Sequence, residues 1–330
     1  MTFKVLITDH PGATLAVERS VFEPAGIEVV LAESTDPEEL ATLAGDVDAI
    51  ATCFAEVTAD ILDRAPKCRT IARFGVGLDN IDVARATELG MIVTNVPVYC
   101  VDEVADHTLM LILALARRLV PFARDTASGG WNRSLEPTPI RLRGKTFGAV
   151  GLGSIGSALV PRMQSLGMNV VGLGRRSTLP AGVTAMDSLG DLLAVADVVS
   201  LHLPLSASTR HIIGGRELAA MKTTALLINT SRGGLVDSEA LTAALRAGRI
   251  AGAALDVTEP EPLAGSHPLR SMSNVVLTPH YAFSSDGSMA DLSRTAAQHV
   301  VEVVHGRLPD DVVNPSVLSS PTLRAAELAS

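Results

Sequence analysis

Hydrophobic and polar positions alternate in blocks along this chain. Short runs rich in β-branched and apolar residues recur at 3–8, 27–31, 49–53, 70–74 and 91–94. The stretches between them repeat apolar residues at helical spacing and carry charge on the other face. Strands alternating with helices in this way predict a parallel sheet, because parallel neighbours need crossover connections. A long helix is predicted over 101–118, after the turn-like segment 95–99. A second alternating series then places strands at 146–150, 169–173, 197–203, 224–230, 251–255 and 274–278. Six strands suffice for a dinucleotide-binding sheet. One more helix, over 289–304, is placed to return to the first domain.

Composition narrows the picture. At 330 residues and 47% hydrophobic content, the chain can bury enough surface for two domains. Aromatic residues are only 3%, so the core is built from Ala, Val, Leu and Ile, as suits α/β layering. A net charge of −9 with no basic run excludes a nucleic-acid partner. Cys53, Cys68 and Cys100 form neither a disulfide framework nor a zinc-binding spacing, and read as reduced cytoplasmic thiols. The first apolar stretch ends at Asp9, too soon for a signal peptide, and the longest apolar run, 109–116, is too short to span a membrane. No repeat, low-complexity tract or long linker is visible.

The strand 146–150 runs directly into Gly151-Leu152-Gly153-Ser154-Ile155-Gly156, followed by a helical pattern to Leu166. A G-x-G-x-x-G between strand and helix is the mark of a dinucleotide site. Gly151 permits a tight turn, Gly153 lets a pyrophosphate approach the backbone, and Gly156 lets helix and strand pack, while the helix N-terminus offers amide donors. An NAD-selective site places a carboxylate at the end of the second strand, about twenty residues on. Here that strand ends in Gly174-Arg175-Arg176-Ser177 with no acid. Arg175 or Arg176 offers a fork to a 2′-phosphate, so NADP is favoured over NAD, unless the two arginines are merely solvated.

Three further segments follow strands of the second series: Asn229-Thr230-Ser231-Arg232-Gly233-Gly234, Asp256-Val257-Thr258-Glu259-Pro260-Glu261-Pro262 and Thr278-Pro279-His280. They fall at the carboxyl edge, where such sheets bind ligands. Reduction of a 2-oxo acid needs a cation to hold the carboxylate and polarise the ketone, and an acid to protonate the developing alkoxide. Arg232 and His280 fit those tasks, and Glu261 can orient and charge the imidazole. Singly, each reads as an ordinary strand-end charge, loop acid or turn histidine. The case rests on the three together.

With the glycine turn, these residues make the chain resemble the D-isomer-specific 2-hydroxyacid dehydrogenases, among them phosphoglycerate dehydrogenases and glyoxylate/hydroxypyruvate reductases. Further marks are Arg73-Phe74-Gly75-Val76-Gly77-Leu78-Asp79-Asn80-Ile81-Asp82 and Glu103-Val104-Ala105-Asp106-His107-Thr108. The resemblance implies that Arg232, Glu261 and His280 are catalytic. It implies that backbone amides at Val76 and Gly77 hold the substrate carboxylate, with Thr52 and Tyr99 also at the substrate. It places Ser154 and Ile155 along the pyrophosphate, His202 to Pro204 near the adenosine, and Thr230 and Asp256 at the nicotinamide. The implied fold is α/β, with two Rossmann-like parallel-sheet domains. A flavodoxin-like, discontinuous substrate domain takes 1–98 and 284–330, and the dinucleotide-binding domain takes 99–283. A cytoplasmic homodimer is implied too, packed through the helix after Val101 and the loop around Trp131.

Subfamily features point to an NAD(P)-dependent reductase of a small 2-oxo acid, with glyoxylate and hydroxypyruvate as first choices. Phosphoglycerate dehydrogenases carry an arginine after the third strand to reach the substrate phosphate, whereas this position holds Thr52 or Cys53, and Glu56 is the only charge nearby. An uncharged or smaller side group is therefore expected. The chain is also expected to lack the small regulatory domain of those enzymes, although a phosphoglycerate dehydrogenase without it stays an alternative. The segments 95–97, 101–106 and 280–285 look more like the C-terminal-binding-protein branch, which supplies another alternative: a dinucleotide-sensing, corepressor-like protein with little turnover. Retention of all three catalytic positions ranks the enzyme first. A methyltransferase is disfavoured by the same three, and no metal-ligand cluster or nucleophilic triad is visible.

Overall fold

The computed structural model describes residues 2–12, 14–134, 136–173 and 179–325. It divides into two compact units, Met1–Tyr99 with Ser285–Ser330, and Cys100–Ser284.

In the first unit, β1 (Phe3–Ile7), β2 (Ile27–Leu31), β3 (Ala49–Thr52), β4 (Thr70–Arg73) and β5 (Ile92–Thr94) form a parallel sheet of order β2-β1-β3-β4-β5. This is the flavodoxin-like order. Every residue of β3, β4 and β5 is buried, so none of the three shows the apolar-to-polar alternation of a half-exposed strand. Between the strands lie α1 (Ala16–Phe22), α2 (Pro37–Ala44), α3 (Ala59–Asp63) and α4 (Val83–Glu88). Helix α2 starts where Asp36 accepts hydrogen bonds from the Glu38 and Glu39 amides and Pro37 takes the first helical position.

In the second unit, α5 (Val101–Ala116) and α6 (Leu119–Ala127) precede a sheet built from β6 (Thr146–Val150), β7 (Asn169–Leu173), β8 (Val183–Ala185), β9 (Val198–Leu201), β10 (Leu226–Asn229), β11 (Gly252–Leu255) and β12 (Val275–Leu277). Its crossovers include α7 (Ser154–Ser165), α8 (Leu189–Val195), α9 (Gly215–Ala220) and α10 (Ser238–Arg246). The order is β12-β11-β10-β9-β6-β7-β8, all parallel. The sheet thus has seven strands where six were expected. The extra one, β8, is a three-residue edge strand, Val-Thr-Ala, with no fully buried residue and hence no apolar signal. Helix α6 was also unexpected: Arg118 adopts a left-handed φ of 55°, ends the α5 segment and starts a new helix.

The chain then re-enters the first unit as α11 (Asp286–Val304). Its Leu292, Ala296 and Val300 pack on Val5, Ile7 and Phe74, covering one face of the first sheet. The opposite face carries Leu6, Ile50 and Ile71 against Leu40 and Ile61. Burial of both faces drives each layered unit together. The chain therefore forms the two parallel-sheet α/β domains expected from its sequence.

Candidate active site

In the second sheet, β6 has β9 on one side and β7 on the other, so the crossover direction reverses at its carboxyl end. Ligands of open α/β sheets bind at such a switch point, and the glycine turn sits there. Gly151 has φ of +100°, and a Cβ on it would lie 2.4 Å from the His202 carbonyl. A Cβ on Gly156 would lie 2.2 Å from the Gly151 carbonyl, so α7 packs on the turn only because the side chain is missing. A Cβ on Gly153 meets nothing within 4 Å. That open approach leads to the N-terminus of α7, which no side chain caps. The amides at Ser154 and Ile155 are thereby available to an anion. Next to the turn, His202 bonds Ser200 through Nε2 at 2.9 Å, and its Nδ1 has no hydrogen-bond partner among the described residues. Desolvation pushes this imidazole down to about 4, so it is neutral at physiological pH. Pro204 follows on the exposed rim of the same edge. These features fit a dinucleotide. Arg175 and Arg176 lie outside the described residues.

The three strands β10, β11 and β12 are neighbours, so the turns after them share one edge. Asn229, fully buried at the end of β10, shapes the first turn: its Nδ2 donates to the Arg232 carbonyl at 2.8 Å and its Oδ1 accepts from the Ser231 amide at 3.1 Å. Thr230, also buried, shares a 2.9 Å hydroxyl bond with Thr108 of α5. Arg232 Nη1 donates to the Ser231 carbonyl at 2.8 Å. A Cβ on Gly233 would lie 2.0 Å from the Thr258 carbonyl, so this glycine lets the turns after β10 and β11 touch. Arg210 binds both oxygens of Glu259 at 2.9 and 2.8 Å, and the His211 amide donates to the Gly234 carbonyl at 2.8 Å. The two turns are therefore stitched together.

Glu261 joins the second turn to the third. Its Oε1 accepts from the Thr258 amide and its Oε2 bonds His280 Nδ1, each at 2.9 Å. His280 sits at φ +52°, a left-handed conformation that costs a non-glycine residue about 1–2 kcal/mol. Asp256 holds it there. That carboxylate, 2% exposed, accepts from the Thr278 hydroxyl at 2.6 Å and from the Tyr281 and Ala282 amides at 3.0 and 2.9 Å, while its carbonyl accepts from the His280 amide at 2.7 Å. His107 Nε2 joins at 3.1 Å from Thr278 Oγ1 and 3.5 Å from Asp256 Oδ1. The sequence placed Asp256 at the nicotinamide; the structure gives its carboxylate to the turn that presents His280. Neither that task nor those of Asn229 and His107 was foreseen. Only the Gly233-Gly234 pair signalled in advance that two chain segments approach closely.

The expected substrate residues Thr52, Val76, Gly77 and Tyr99 follow or end β3, β4 and β5, at the carboxyl edge of the first sheet. Val76 is 39% exposed, and its carbonyl accepts from Asn95 Nδ2 at 2.7 Å, which fixes the loop. Tyr99 is half-buried against the core. Thr52 corrects the expectation: it is fully buried, and its hydroxyl donates to the Ala55 carbonyl at 3.0 Å. The loop after β3 exposes Phe54 instead.

An edge that cradles a dinucleotide and sets a carboxylate-bound histidine on the same side as an arginine turn defines a class: nicotinamide-dependent oxidoreductases. Comparison with known proteins narrows it. Residues 109–282 match the family described as D-isomer specific 2-hydroxyacid dehydrogenase, NAD binding domain. A glyoxylate reductase of Aeropyrum pernix is 39% identical over 306 residues, spanning 90% of this chain and 89% of that protein. A D-3-phosphoglycerate dehydrogenase of Methanocaldococcus jannaschii is 38% identical over 318 residues, 94% of this chain but 59% of that longer protein. Among solved structures, the NADPH-dependent glyoxylate/hydroxypyruvate reductase of Sinorhizobium meliloti, in complex with NADP and malonate, matches with a TM-score of 0.81 at 32% identity over 93% of each chain. The chain belongs to the D-isomer-specific 2-hydroxyacid dehydrogenase family. It is accordingly an NAD(P)-dependent oxidoreductase, and among its described residues no helix is long and apolar enough to cross a membrane.

Proposed function

We propose that this protein reduces a small 2-oxo acid of the glyoxylate or hydroxypyruvate type to the D-2-hydroxy acid, with the second unit as its dinucleotide-binding domain and the first as its substrate domain. The reading is carried by the 2.9 Å bond between His280 Nδ1 and Glu261 Oε2, on the sheet edge that also holds the Arg232 turn and the glycine turn. Gly151, Gly153, Gly156, Ser154 and Ile155 hold the pyrophosphate, His202 and Pro204 border the adenosine, and Thr230 lies at the nicotinamide end. Bound there, the cofactor supplies the hydride that C2 of the acid receives. Arg232 holds the acid's carboxylate and polarises its ketone oxygen. With Nδ1 committed to Glu261, His280 gives its proton from Nε2 to that oxygen as negative charge develops. Asp256 acts through His280 and is a positioning residue.

The absence of an acid and the presence of Arg175 and Arg176 after β7 favour NADP over NAD. The three cysteines, buried and joined by no disulfide among the described residues, suit a reducing, cytoplasmic setting. A homodimer is supported by α6, which buries no residue, by Leu119 at 58% and Trp131 at 75% exposure, and by an apolar cavity of about 410 Å³ between Leu115, Pro121, Ile140, Leu226 and Val276, at the amino edge of the sheet. Light scattering tests it, and a monomer would refute the pairing.

The activity is tested by following reduced-nicotinamide absorbance with purified protein, NADPH or NADH, and a panel of 2-oxo acids. Turnover of glyoxylate or hydroxypyruvate, with higher kcat/KM for NADPH, is the expected result. Tight dinucleotide binding with no turnover of any 2-oxo acid would instead establish a sensor.

A further inference from the structure

Asp9 lies just beyond β1, where the first sheet changes direction. In the order β2-β1-β3-β4-β5 the chain leaves β1 to one side and then crosses to β3 on the other, so the crossover reverses between β1 and β3. Ligands of open parallel sheets bind outside the carboxyl ends of the strands at such a reversal. In this unit the loops after β1 and β3 border it, and Asp9 joins them. Its Oδ1 accepts from the Thr8 hydroxyl and the Cys53 amide, each at 2.9 Å, and its Oδ2 accepts from the Phe54 amide at 2.6 Å. Asn80 Nδ2 donates to the Cys53 and Ala55 carbonyls at 3.2 and 2.7 Å. The loop after β3 is thus held by its amides and by its carbonyls.

Cys53 and Ala55 are 2% and 5% exposed and pack into the cores on the two faces of the sheet, whereas Phe54 between them is 53% exposed. An aromatic ring left in water forgoes the gain of burial, and aromatic residues are only 3% of this chain. Bonds from amides to a carboxylate are stronger and shorter than neutral ones, so Phe54 stays outward while Asp9 keeps both amides. Val76 and Val98, in the loops after β4 and β5, expose further apolar surface on the same edge. A ring fixed outward at a binding edge serves a ligand, not the core.

We infer that Asp9 is a positioning residue for substrate binding, acting through the Cys53–Phe54 loop, which it sets in place before the 2-oxo acid arrives. This rests on the reductase reading above, in which the first unit is the substrate domain. A loop ordered in advance spares binding the cost of ordering it. Loss of Asp9 therefore raises KM, while kcat and dinucleotide affinity, which depends on the other unit, are kept.

The test compares Asp9→Asn, Phe54→Ala and the double variant with the wild type, with folding checked by thermal melting and NADPH affinity by fluorescence titration. An asparagine that keeps its oxygen at Oδ1 turns its NH2 toward the Phe54 N–H and releases that amide alone. In Asp9→Asn, KM for the better substrate of glyoxylate and hydroxypyruvate should rise by about 10–100-fold, with kcat within about threefold of wild type and NADPH affinity unaltered. In the Phe54→Ala background the same replacement should change KM by less than about threefold, because the side chain it positions is gone. An unchanged KM in Asp9→Asn, a fall in kcat alone, or additive effects in the double variant overturns the inference. Phe54→Ala leaves the clamp intact and should itself raise KM; an unchanged KM there overturns the inference even if Asp9→Asn does not fold. Binding separates the inference from turnover. Oxamate, an unreactive isostere of a 2-oxo acid, should raise the melting temperature of the NADPH-loaded wild type more than that of NADPH-loaded Asp9→Asn; equal shifts overturn the role of Asp9. A wild type that turns over no 2-oxo acid yet shows the oxamate difference sinks the reductase reading alone.

Discussion

Replacing Asp256 by Asn probes how His280 is presented. The native carboxylate accepts from the Thr278 hydroxyl and Tyr281 amide on Oδ1 and from the Ala282 amide on Oδ2. An asparagine that keeps its oxygen at the Oδ1 position turns its NH2 toward the Ala282 N–H, donor against donor. One charge-assisted hydrogen bond, about 1.5–3 kcal/mol, is lost, and a buried amide is left unpaired at a further 1–3 kcal/mol. Cheaper burial of a neutral side chain offsets part of this, for a net cost of about 2–4 kcal/mol. The left-handed conformation of His280 holds only while the turn over-determines it, so the turn relaxes and the imidazole leaves its place. Thermal unfolding should show Tm lower by roughly 4–16 °C for a unit of this size. Steady-state assays with glyoxylate should show kcat lower by about 10²–10⁴-fold, as for loss of a general acid. A variant with Tm unchanged within error and kcat within about twofold of wild type refutes the reasoning, since neither penalty of the lost acceptor would then be felt.

Other consequences follow from local geometry. Gly153→Ala meets no neighbour and should melt like the wild type yet bind dinucleotide roughly tenfold more weakly, whereas Gly156→Ala drives a methyl into the Gly151 carbonyl and should lose about 1–3 kcal/mol of stability; equal melting temperatures for the two would contradict the assignment of the turn. Glu261→Gln should lower kcat about tenfold, because one charge-assisted bond to a partly exposed histidine is weakened, and an unaltered kcat would remove Glu261 from the mechanism. The pair formed by His10 Nε2 and Glu18 Oε1, 2.6 Å apart, makes stability pH-dependent. Burial alone lowers the His10 imidazole, but its bond to Glu18, the Gly12 carbonyl and the charge of Glu18 outweigh this and raise it. Burial raises the Glu18 carboxyl, and the bond from His10 overcomes that and lowers it. The His10 contribution is complete below its ordinary 6.5 and is lost as pH rises through the raised value; the Glu18 contribution is complete above its ordinary 4.5 and is lost as pH falls through the lowered value. Melting temperature should therefore decline as pH rises above 6.5 in the wild type and decline less in His10→Asn; parallel curves would exclude the pair as the cause.

Much of this architecture is legible in the sequence because both faces of each sheet are buried, which leaves strands such as β3, β10 and β11 mostly apolar. Strand β8 escapes notice as a short, half-buried edge, and α6 because none of its residues is fully buried. The glycine turn is legible at the level of single residues, since only a missing Cβ permits the approach of the Gly151 carbonyl to Gly156. Side-chain partnerships are not. Asp256 finds its acceptors' donors more than twenty positions away, at Thr278, Tyr281 and Ala282, and no spacing rule links them. Thr52 turns inward to Ala55, and Arg73 reads as an ordinary strand-end charge until its burial is known. Patterning reports which face an element buries; it is silent on which polar atoms meet once loops have closed.

Transfer of a hydride to C2 of a 2-oxo acid can be followed directly with labelled cofactor. Glyoxylate should be incubated with the protein and NADPH carrying deuterium at the transferable position, and the product analysed by mass spectrometry. Glycolate with one deuterium on C2, formed in step with loss of reduced cofactor, is the expected product. Cofactor consumed without labelled glycolate, or no glycolate at all across NADPH and NADH, would contradict it.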